Sequence, residues 1–486
     1  MENLSTKIHK KPIRPIHIIQ FGEGNFLRAF IDWQIQKMND AGTMVGDVVV
    51  VQPVSSGRVA DLAAQDGLYT LYLQGKMDGN VIRSHEIIDV IGDVINPFED
   101  YAKYLKYAEN IDLKLVISNT TEAGIALDET DLDFTNTPKS YPGKLLAFLK
   151  HRYDYFNGSK DAGMWIMPCE LIDYNGDNLK KVMIELAKIH HFDAKFIDWL
   201  ENANKYYNTL VDRIVPGYPR DEIKEITAEL GYIDSSIVKG EIFHLFCIQG
   251  DESIKKWFPF DKTNLHVILT PSIKPYKERK VKILNGSHTA MVPVSYLYGI
   301  DTVRESCEDP LIGKYVRNFI FKEVVPTIKL PKTEMEFFAN SVLERYENPF
   351  VRHELMSIAL NSTTKYVTRI LPTVLDYYKE FKKIPKISVF SFAALCVFYK
   401  GKRCDKDIAL NDNVEYLEMW KNLWNKVDGS KNSIQSFADE LLSRKEIWGL
   451  DLNTLGNFNA LVVNDIYSIL SNGMGKAVTQ LLDDYE

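Results

Sequence analysis

The sequence predicts a doubly wound α/β domain over residues 1–274, followed by a mainly α-helical domain over residues 275–486. Apolar strand-like runs alternate with helical segments in the first half, as expected for a parallel sheet covered on both faces. After about Pro275 strand-like runs become rare and helical periodicity dominates. A chain of 486 residues is also too long for one hydrophobic core, so at least two domains are expected.

Four short runs carry the strand prediction: residues 16–21, 48–51, 113–117 and 164–167. They are mostly apolar, which is typical of strands buried on both faces of a parallel sheet. Between the first two runs, four apolar side chains recur near helical spacing: Phe26, Phe30, Trp33 and Met38. This alternation of strands and helices predicts a Rossmann-type sheet.

The second half of the chain contains long segments of helical character. These segments are residues 310–325, 334–346, 352–360, 388–399 and 453–484. Because few strand-like runs interrupt them, we expect the C-terminal domain to be built mainly from packed helices.

Composition excludes several functional classes. Hydrophobic residues make up 45% and charged residues 26% of the chain, as in ordinary globular proteins. A net charge of −8 argues against a nucleic-acid-binding surface. The five cysteines form no Cys-x-x-Cys pair, residues 1–15 contain no apolar run, and no stretch approaches the length of a membrane span. We therefore expect a cytoplasmic protein with a small-molecule partner and no nucleic-acid or membrane partner, and monomer and dimer both stay open.

A Gly-x-Gly turn lies between the first predicted strand and the first predicted helix. Glycines there let the backbone approach a pyrophosphate, which binds the free N–H groups at the helix start. The third glycine of the usual pattern is replaced by Leu27, so an ordinary strand-to-helix turn is the alternative. The candidate cofactor-binding residues here are Phe21, Gly22, Gly24, Asn25, Phe26 and Arg28, of which Arg28 would place a cation beside the phosphates.

The usual discriminator between NAD and NADP is absent. Many NAD-binding folds carry an acid after the second strand that binds the ribose. Here residues 52–56 contain no carboxylate, and the nearby Arg58 would suit a 2′-phosphate. The residues alone therefore leave the choice of nicotinamide cofactor open.

Residues 280–288 combine an amine, an amide and an imidazole. At roughly 100° per residue of an ideal α-helix, Lys280, His288 and Asn285 fall at about 0°, 80° and 140°. One side of the helix would then offer a proton-transfer group and two hydrogen-bond donors to a single substrate oxygen, as a metal-free dehydrogenase requires. A solvated helix face is the alternative, since Val281 and Leu284 share the arc. The sequence contains no metal-binding histidine or cysteine motif, so we expect no metal. It also contains no Gly-x-Ser-x-Gly, which argues against a nucleophilic mechanism.

Five segments together resemble the mannitol dehydrogenase family of polyol-specific long-chain dehydrogenases. They are residues 20–30, 118–125, 168–176, 210–215 and 273–280, and they follow the family's order along nearly the whole chain. The resemblance implies a Rossmann-type cofactor domain, a helical substrate domain with the active site between them, NAD(H) as cofactor, and no zinc.

The resemblance also implies roles for individual residues. In the family's Lys-x4-Asn-x2-His pattern the lysine is the acid/base and the other two hold the reacting oxygen, which assigns these roles to Lys280, Asn285 and His288. The Val-Asp-Arg motif implies that Asp212 lies near the substrate. The segment after the third strand is similar to a loop beside the nicotinamide, which adds four candidate cofactor-binding residues: Asn119, Thr120, Thr121 and Glu122.

The sequence departs from the family at one position. Relatives that oxidise mannitol have a Cys-Asp-Asn stretch whose asparagine helps to bind the reacting oxygen, whereas this chain has Cys169, Glu170 and Leu171. Either Asn285 and His288 bind this oxygen without that donor, or Glu170 contacts the substrate. The departure argues against mannitol and is similar to the branch of the family that acts on uronates.

The expected reaction is the reversible, NADH-dependent reduction of D-tagaturonate to D-altronate in hexuronate breakdown. Reduction of fructuronate and oxidation of another polyol are the alternatives, and a nucleotide-binding scaffold without catalysis is a hypothesis of another class. A sugar-acid carboxylate needs an arginine or lysine, for which Lys365 and Arg369 are candidates. A solvated helix face is again the alternative for these two residues.

Overall fold

The computed structural model describes residues 1–121, 123–131, 133–483 and 485, which form two compact units. The N-terminal unit comprises Met1–Gln74 and Ile82–Ile273. The C-terminal unit comprises Gly75–Val81 and the described part of Lys274–Glu486. Segment 75–81 thus belongs to the C-terminal unit although it is far from residue 274 in sequence, and within that unit the Gly79 amide donates a hydrogen bond to Glu344 at 2.7 Å.

The N-terminal unit is built on three sheets. Its strands are β1 (Ile16–Phe21), β2 (Asp47–Val51), β3 (Tyr69–Met77), β4 (Asn80–Ile88), β5 (Ile91–Ile95), β6 (Leu115–Ser118), β7 (Trp165–Pro168), β8 (Lys205–Tyr206), β9 (Asn208–Asp212), β10 (Val238–Glu241), β11 (Leu245–Gln249) and β12 (Val267–Thr270). The tip of the β3–β4 hairpin is the segment that belongs to the C-terminal unit.

The central sheet is parallel and has the order β5–β2–β1–β6–β7–β8. This is the strand order of a dinucleotide-binding Rossmann fold, which reverses its direction of winding between β1 and β6. The prediction of a doubly wound domain is therefore confirmed, and each predicted run contains a strand. Residues 48–51 are completely buried, as a strand covered on both faces requires. The smaller sheets have the orders β10–β3–β4 and β12–β11–β9.

Helices pack against these sheets. They are α1 (Asn25–Leu27), α2 (Trp33–Asp40), α3 (Val59–Ala63), α4 (Tyr101–Lys106), α5 (Tyr141–Tyr155), α6 (Asn175–Ile189), α7 (Ala194–Asn202) and α8 (Ile223–Leu230). A π-helical segment, Arg28–Asp32, joins α1 to α2. Local sequence sets several helix starts: the Ser140 hydroxyl accepts from the Gly143 amide at α5, and Asp193 accepts from two amides at α7.

The C-terminal unit is mainly helical, as predicted. Its helices are α9 (Lys274–Lys280), α10 (Gly286–Tyr298), α11 (Val303–Glu308), α12 (Pro310–Asn318), α13 (Lys332–Tyr346), α14 (Leu355–Ile358), α15 (Ser362–Arg369), α16 (Leu371–Phe381), α17 (Lys386–Phe398), α18 (Val414–Trp424), α19 (Lys431–Leu442), α20 (Lys445–Trp448), α21 (Phe458–Asn472) and α22 (Met474–Asp483). A short ribbon, β13 (Lys402–Arg403) and β14 (Lys406–Asp407), joins α17 to α18. Helix α17 is buried on nearly all sides and packs against α10 and α21, so it forms the centre of this unit.

Two predicted helices differ from the structure. The segment 352–360 is helical only in α14, because its first part is extended and pairs its backbone with residues 301–303. The segment 453–484 contains two helices, since Gly473 adopts a φ of 80° and ends α21. None of the described helices is both long enough and apolar enough to cross a membrane.

A buried carboxyl group lies beneath the first helix of the N-terminal unit. Asp32 is fully buried and accepts a hydrogen bond from the Tyr69 hydroxyl at 3.3 Å. Burial raises the pKa of Asp32 to about 7, although the Arg28 guanidinium and the Tyr69 hydroxyl act in the opposite direction. The folded protein therefore binds a proton at Asp32 that an unfolded chain releases near pH 4.

We expect Asp32→Asn to reduce the pH dependence of stability. Asp32 titrates near pH 4 in the unfolded chain and near pH 7 in the fold, so its contribution is lost as the pH rises through this window. An asparagine has no such proton to lose, and its amide oxygen can still accept from Tyr69. Urea midpoints at pH 5 and pH 8 test this, with the exposed Asp405→Asn as the control. An unchanged pH dependence in Asp32→Asn would contradict the assignment.

Candidate active site

The loops after β1 and β6 approach each other at the point where the direction of winding reverses. Gly22 follows β1 with a φ of 124°, which favours glycine. A Cβ atom at Gly22 would lie 3.0 Å from the backbone oxygen of Asn119, which follows β6. Ligands of open α/β sheets bind beside this point, so the Gly-x-Gly turn lies where a dinucleotide would bind.

A cavity of about 610 Å³ opens beside the turn, within the volume range of small-molecule sites. It is lined by the turn, by the loop after β2 and by residues 218–236; the lining includes Glu23, Gly24, Asn25, Arg28, Ser56, Arg58, Tyr218 and Ser236. A methyl group on Gly24 would meet nothing within 4 Å, so this side of the turn is open. The space, the glycines and the helix start together fit a dinucleotide.

Arg28 fastens the turn. Its guanidinium donates to the backbone oxygen of Ser236 and, at 2.8 Å, to the Asn25 side chain, while its Nε donates to the backbone oxygen of Glu23. The residue is 7% exposed and its guanidinium lies 5.0 Å from the ring centre of Tyr69. These three hydrogen bonds hold the guanidinium against the turn, and Arg28 also lines the cavity, so its predicted role beside the phosphates stays a prediction.

The two aromatic candidates of this segment support the turn. Phe21 is fully buried and its ring centre lies 5.1 Å from that of Tyr141. Phe26 is partly buried and stacks on Phe30 at 5.0 Å. Both rings therefore brace the strand and the helix on either side of the glycines.

The end of β6 is tied to the end of β7. Asn119 donates its side-chain amide to the backbone oxygen of Cys169 at 2.7 Å, and Thr120 donates its backbone N–H and its hydroxyl to the Glu170 carboxylate. Thr121 is exposed beyond them, whereas Glu122 lies outside the described residues. The candidate loop thus lies beside the glycine turn, and Glu170 is 3% exposed beneath it.

No described side chain of the β7 end replaces the asparagine of mannitol-type relatives. Leu171 stands at that position with 61% exposure and has no hydrogen-bond donor in its side chain. The amide of the nearby Asn175 is fully buried and donates to the backbone oxygens of Pro168 and Glu170. Asp212 ends β9 and is 4% exposed.

Lys280, Asn285 and His288 lie on one continuous stretch of helix in the C-terminal unit. Helix α9 ends at Lys280, a π-helical segment spans Val281–Asn285, and α10 carries His288. A π-turn contains more residues per turn than an α-helix, so the angles predicted from ideal α-helical spacing do not apply. Such insertions are frequent at functional sites, and this one separates the lysine from the other two residues.

Several contacts fix this stretch. The Tyr346 hydroxyl donates to the backbone oxygen of Leu284 at 2.6 Å and lies 2.7 Å from the Ser287 hydroxyl. A Cβ at Gly286 would lie 3.2 Å from the backbone oxygen of Arg369, so glycine lets the end of α15 pack closely. On the other side, Lys282 is nearly buried and pairs with Asp376 at 2.6 Å.

His288 lies within a cluster of basic groups. Its ring centre is 4.3 Å from that of Tyr346 and 5.1 Å from that of His353, and its Nε2 is buried without a hydrogen-bond partner among the described residues. Burial lowers the pKa of His288 well below its usual value, and His353, Arg345, Arg369 and Lys365 lower it further. The imidazole is therefore neutral near pH 7, with one ring nitrogen able to donate a hydrogen bond.

The two cations predicted for a carboxylate lie in this cluster. Lys365 donates to the backbone oxygen of Ile358 at 2.7 Å, and Arg369 donates to the Thr289 hydroxyl at 3.4 Å. Neither makes an ion pair in the part of the chain that the structure describes. Burial lowers the pKa of both side chains, with Arg369 adding to the effect on Lys365.

The sequence did not reveal that Arg345 and His353 belong to the same cluster. Arg345 lies on the buried face of α13 between Leu343 and Tyr346, and an arginine at such a position is the only signal that could have been recognised. His353 lies in the extended segment that was predicted as a helix. Among the described residues, no group of three His, Cys, Asp or Glu side chains is arranged to hold a metal ion.

Known proteins resemble this chain over its full length. The Mannitol dehydrogenase Rossmann domain matches residues 16–261, and the Mannitol dehydrogenase C-terminal domain matches residues 272–470. An altronate oxidoreductase of Phocaeicola vulgatus is 44% identical over 99% of this chain and 100% of its own length. An altronate oxidoreductase of Yersinia enterocolitica is 41% identical, with 98% and 99% covered.

Two solved structures share the fold. A substrate-free D-sorbitol dehydrogenase superposes with a TM-score of 0.79 at 21% identity, covering 98% of this chain and 100% of the other. The mannitol 2-dehydrogenase of Pseudomonas fluorescens, in a complex with NAD and D-mannitol, has a TM-score of 0.63 at 22% identity, covering 97% and 95%. Together with the two domain matches and the full-length relatives, these similarities show that the chain belongs to the mannitol dehydrogenase family.

Proposed function

We propose that this protein is an oxidoreductase that reduces D-tagaturonate to D-altronate with NADH, and that the reaction is reversible. Full-length relatives at 41–44% identity bear the name altronate oxidoreductase, which supports a sugar acid as substrate. None of the five cysteines, all of which the structure describes, forms a disulfide, which fits a protein that works in a reducing cytoplasm.

The observation that carries the proposal is the charge around His288. Lys365 and Arg369 are partly buried cations whose hydrogen bonds go to neutral acceptors. Burial lowers the pKa of both cations, and the Asp412 carboxylate offsets part of this effect for Lys365. The carboxylate of a sugar acid would supply a further counter-charge, which a neutral polyol such as mannitol lacks.

In the proposed reaction the protein moves a proton and stabilises an oxygen. The cofactor supplies the hydride to the carbonyl carbon. Protonated Lys280 donates a proton to the oxygen of that carbonyl, while Asn285 and His288 donate hydrogen bonds to it as negative charge develops. A neutral His288 suits this role, because it can donate from one nitrogen without competing with Lys280 as the acid.

The cofactor we propose is NAD(H), held by the N-terminal unit at the Gly-x-Gly turn. Gly22, Gly24 and Asn25 would contact the pyrophosphate, and residues 119–121 would lie near the nicotinamide. At the end of β2, where many NAD-binding folds have an acid, the Gln52 side chain is bonded within its own loop. Two carboxylates, Glu23 and Asp61, and three arginines, Arg28, Arg58 and Arg220, line the cavity, so its charge does not decide between NAD and NADP. The proposal of NAD(H) therefore rests on the family.

We expect Lys280→Ala to reduce turnover by about 10²- to 10⁴-fold, the usual contribution of a general acid or base. NADH binding should stay within twofold, because the glycine turn belongs to the other unit. Steady-state rates and a fluorescence titration with NADH measure the two quantities, and the exposed Lys332→Ala is the control. Unchanged turnover in Lys280→Ala would remove the lysine from the mechanism.

We expect the wild-type protein to prefer tagaturonate to fructose by at least about 100-fold in kcat/KM, since two charge-assisted contacts contribute roughly 1.5–3 kcal/mol each. Arg369→Gln should lose about 10- to 100-fold with tagaturonate and less than threefold with fructose. The partly exposed Arg304→Gln is the control, and fructuronate is included because it is the main alternative substrate. Equal losses with both substrates, or a wild-type preference for fructose, would refute the sugar-acid site.

A further inference from the structure

A buried carboxylate at the end of β7 has no part in the proposed reaction. Glu170 is 3% exposed, and both of its oxygens accept hydrogen bonds from the end of β6. The Ser118 hydroxyl donates to Oε2 at 3.0 Å, and the Thr120 amide and hydroxyl both donate to Oε1 at 3.1 Å. A buried carboxylate is costly unless donors surround it, so these three bonds fix the position of the loop.

The loop that Glu170 holds is also in contact with the glycine turn. The Asn119 backbone N–H donates to the backbone oxygen of Phe21 at 3.1 Å. A Cβ atom at Gly22 would lie 3.0 Å from the backbone oxygen of Asn119. Because the turn and the loop are packed this closely, a displacement of Thr120 would also displace the backbone of the turn.

The geometry does not favour substrate contact by Glu170. Its two oxygens are already occupied, and Leu171, the next residue, is the side chain that is exposed at this strand end. The Tyr141 hydroxyl and the Cys169 thiol interact with Glu170, and burial raises the pKa of both groups well above their usual range, so both are neutral. Burial also raises the pKa of Glu170 itself, whereas the hydrogen bonds from Ser118 and Thr120 act in the opposite direction and stabilise its charged form.

We propose that Glu170 is a positioning residue for the cofactor: its carboxylate holds residues 118–120 against the glycine turn, so that the nicotinamide side of the site is formed before NADH binds. This inference rests on the proposed location of the cofactor. It differs from substrate binding by Glu170, which the sequence had left open.

Three variants separate charge, hydrogen bonding and volume. Glu170→Ala removes all three bonds. Glu170→Gln keeps an oxygen that accepts from Thr120 and places its amide against the Ser118 hydroxyl, which can accept. Thr120→Val removes one hydroxyl at constant shape, and the exposed Glu225→Gln is the matched control.

The test measures Kd for NADH by fluorescence titration, and kcat and KM for tagaturonate at saturating NADH. We expect Glu170→Ala to raise Kd about tenfold and to lower kcat, with KM for tagaturonate changed less than twofold. Glu170→Gln should stay within threefold of the wild type. Thr120→Val should raise Kd in the same direction, and the double variant with Glu170→Ala should bind NADH no more weakly than Glu170→Ala alone.

An unchanged Kd in Glu170→Ala would overturn the proposal, and so would a raised KM with Kd unchanged, which would mark substrate contact. Glu170→Gln as weak as Glu170→Ala would also contradict it. If Glu170→Ala fails to fold by circular dichroism, Thr120→Val decides, and a Kd equal to that of the wild type refutes the proposal. A wild-type protein that binds NADH but prefers fructose would refute the substrate alone, whereas one that does not bind NADH would refute the proposed cofactor.

Discussion

The helical stretch from Lys274 to Tyr298 is the constraint on which the proposed chemistry depends. It carries Lys280, Asn285 and His288, and its position is fixed by contacts along its length. Tyr346 bonds to a backbone oxygen inside the π-helical segment, and Gly286 admits the end of α15. Since the three proposed catalytic residues share one helical stretch, their spacing depends on the packing of this unit.

The same packing explains the electrostatics. Because Gly286 has no side chain, the end of α15 packs closely against it. This packing places Arg369 beside Thr289, one residue from His288. Burial is the main reason that His288 is neutral, and the cations that would suit a substrate carboxylate lower its pKa further. Two basic residues of the stretch itself, Arg279 and Lys282, differ from Lys365 and Arg369 because they form ion pairs. Arg279 pairs with Glu334 and Lys282 with Asp376, and these ion pairs anchor the helix. The partners of these side chains therefore distinguish the cations that anchor the helix from those proposed to bind the substrate.

Sequence patterns revealed those parts of the fold that local rules govern. Continuous apolar runs predicted the buried parallel strands, and the Gly-x-Gly sequence predicted the turn between the first strand and the first helix. The π-helical segment was not predicted, because the spacing of Lys280, Asn285 and His288 was interpreted on an ideal α-helix. The hydrogen bond of Arg28 to Ser236 was not predicted either, since the two residues are far apart in sequence and only the fold brings them together.

The candidate site also combines features that follow from local sequence with features that depend on the fold. The short motif of residues 280–288 lies on one stretch of helix, whereas Arg345 and His353 join His288 only through tertiary packing. Glu170 is similar: the sequence placed it beside a missing donor, and the structure shows that its oxygens bind Ser118 and Thr120. Hydrogen bonds between residues far apart in sequence determine the role of a buried polar residue, and they cannot be predicted from the sequence without the fold.

The central claim is that a cluster of partly buried cations selects an anionic substrate. Calorimetric titration of the wild-type protein with D-altronate and with D-mannitol, both in the presence of NAD, tests it most directly. The account predicts that altronate binds at least about 100-fold more tightly than mannitol and that its Kd rises steeply with salt, since the contact is electrostatic. Equal affinity for the acid and the neutral polyol, or no effect of salt on altronate binding, would contradict it.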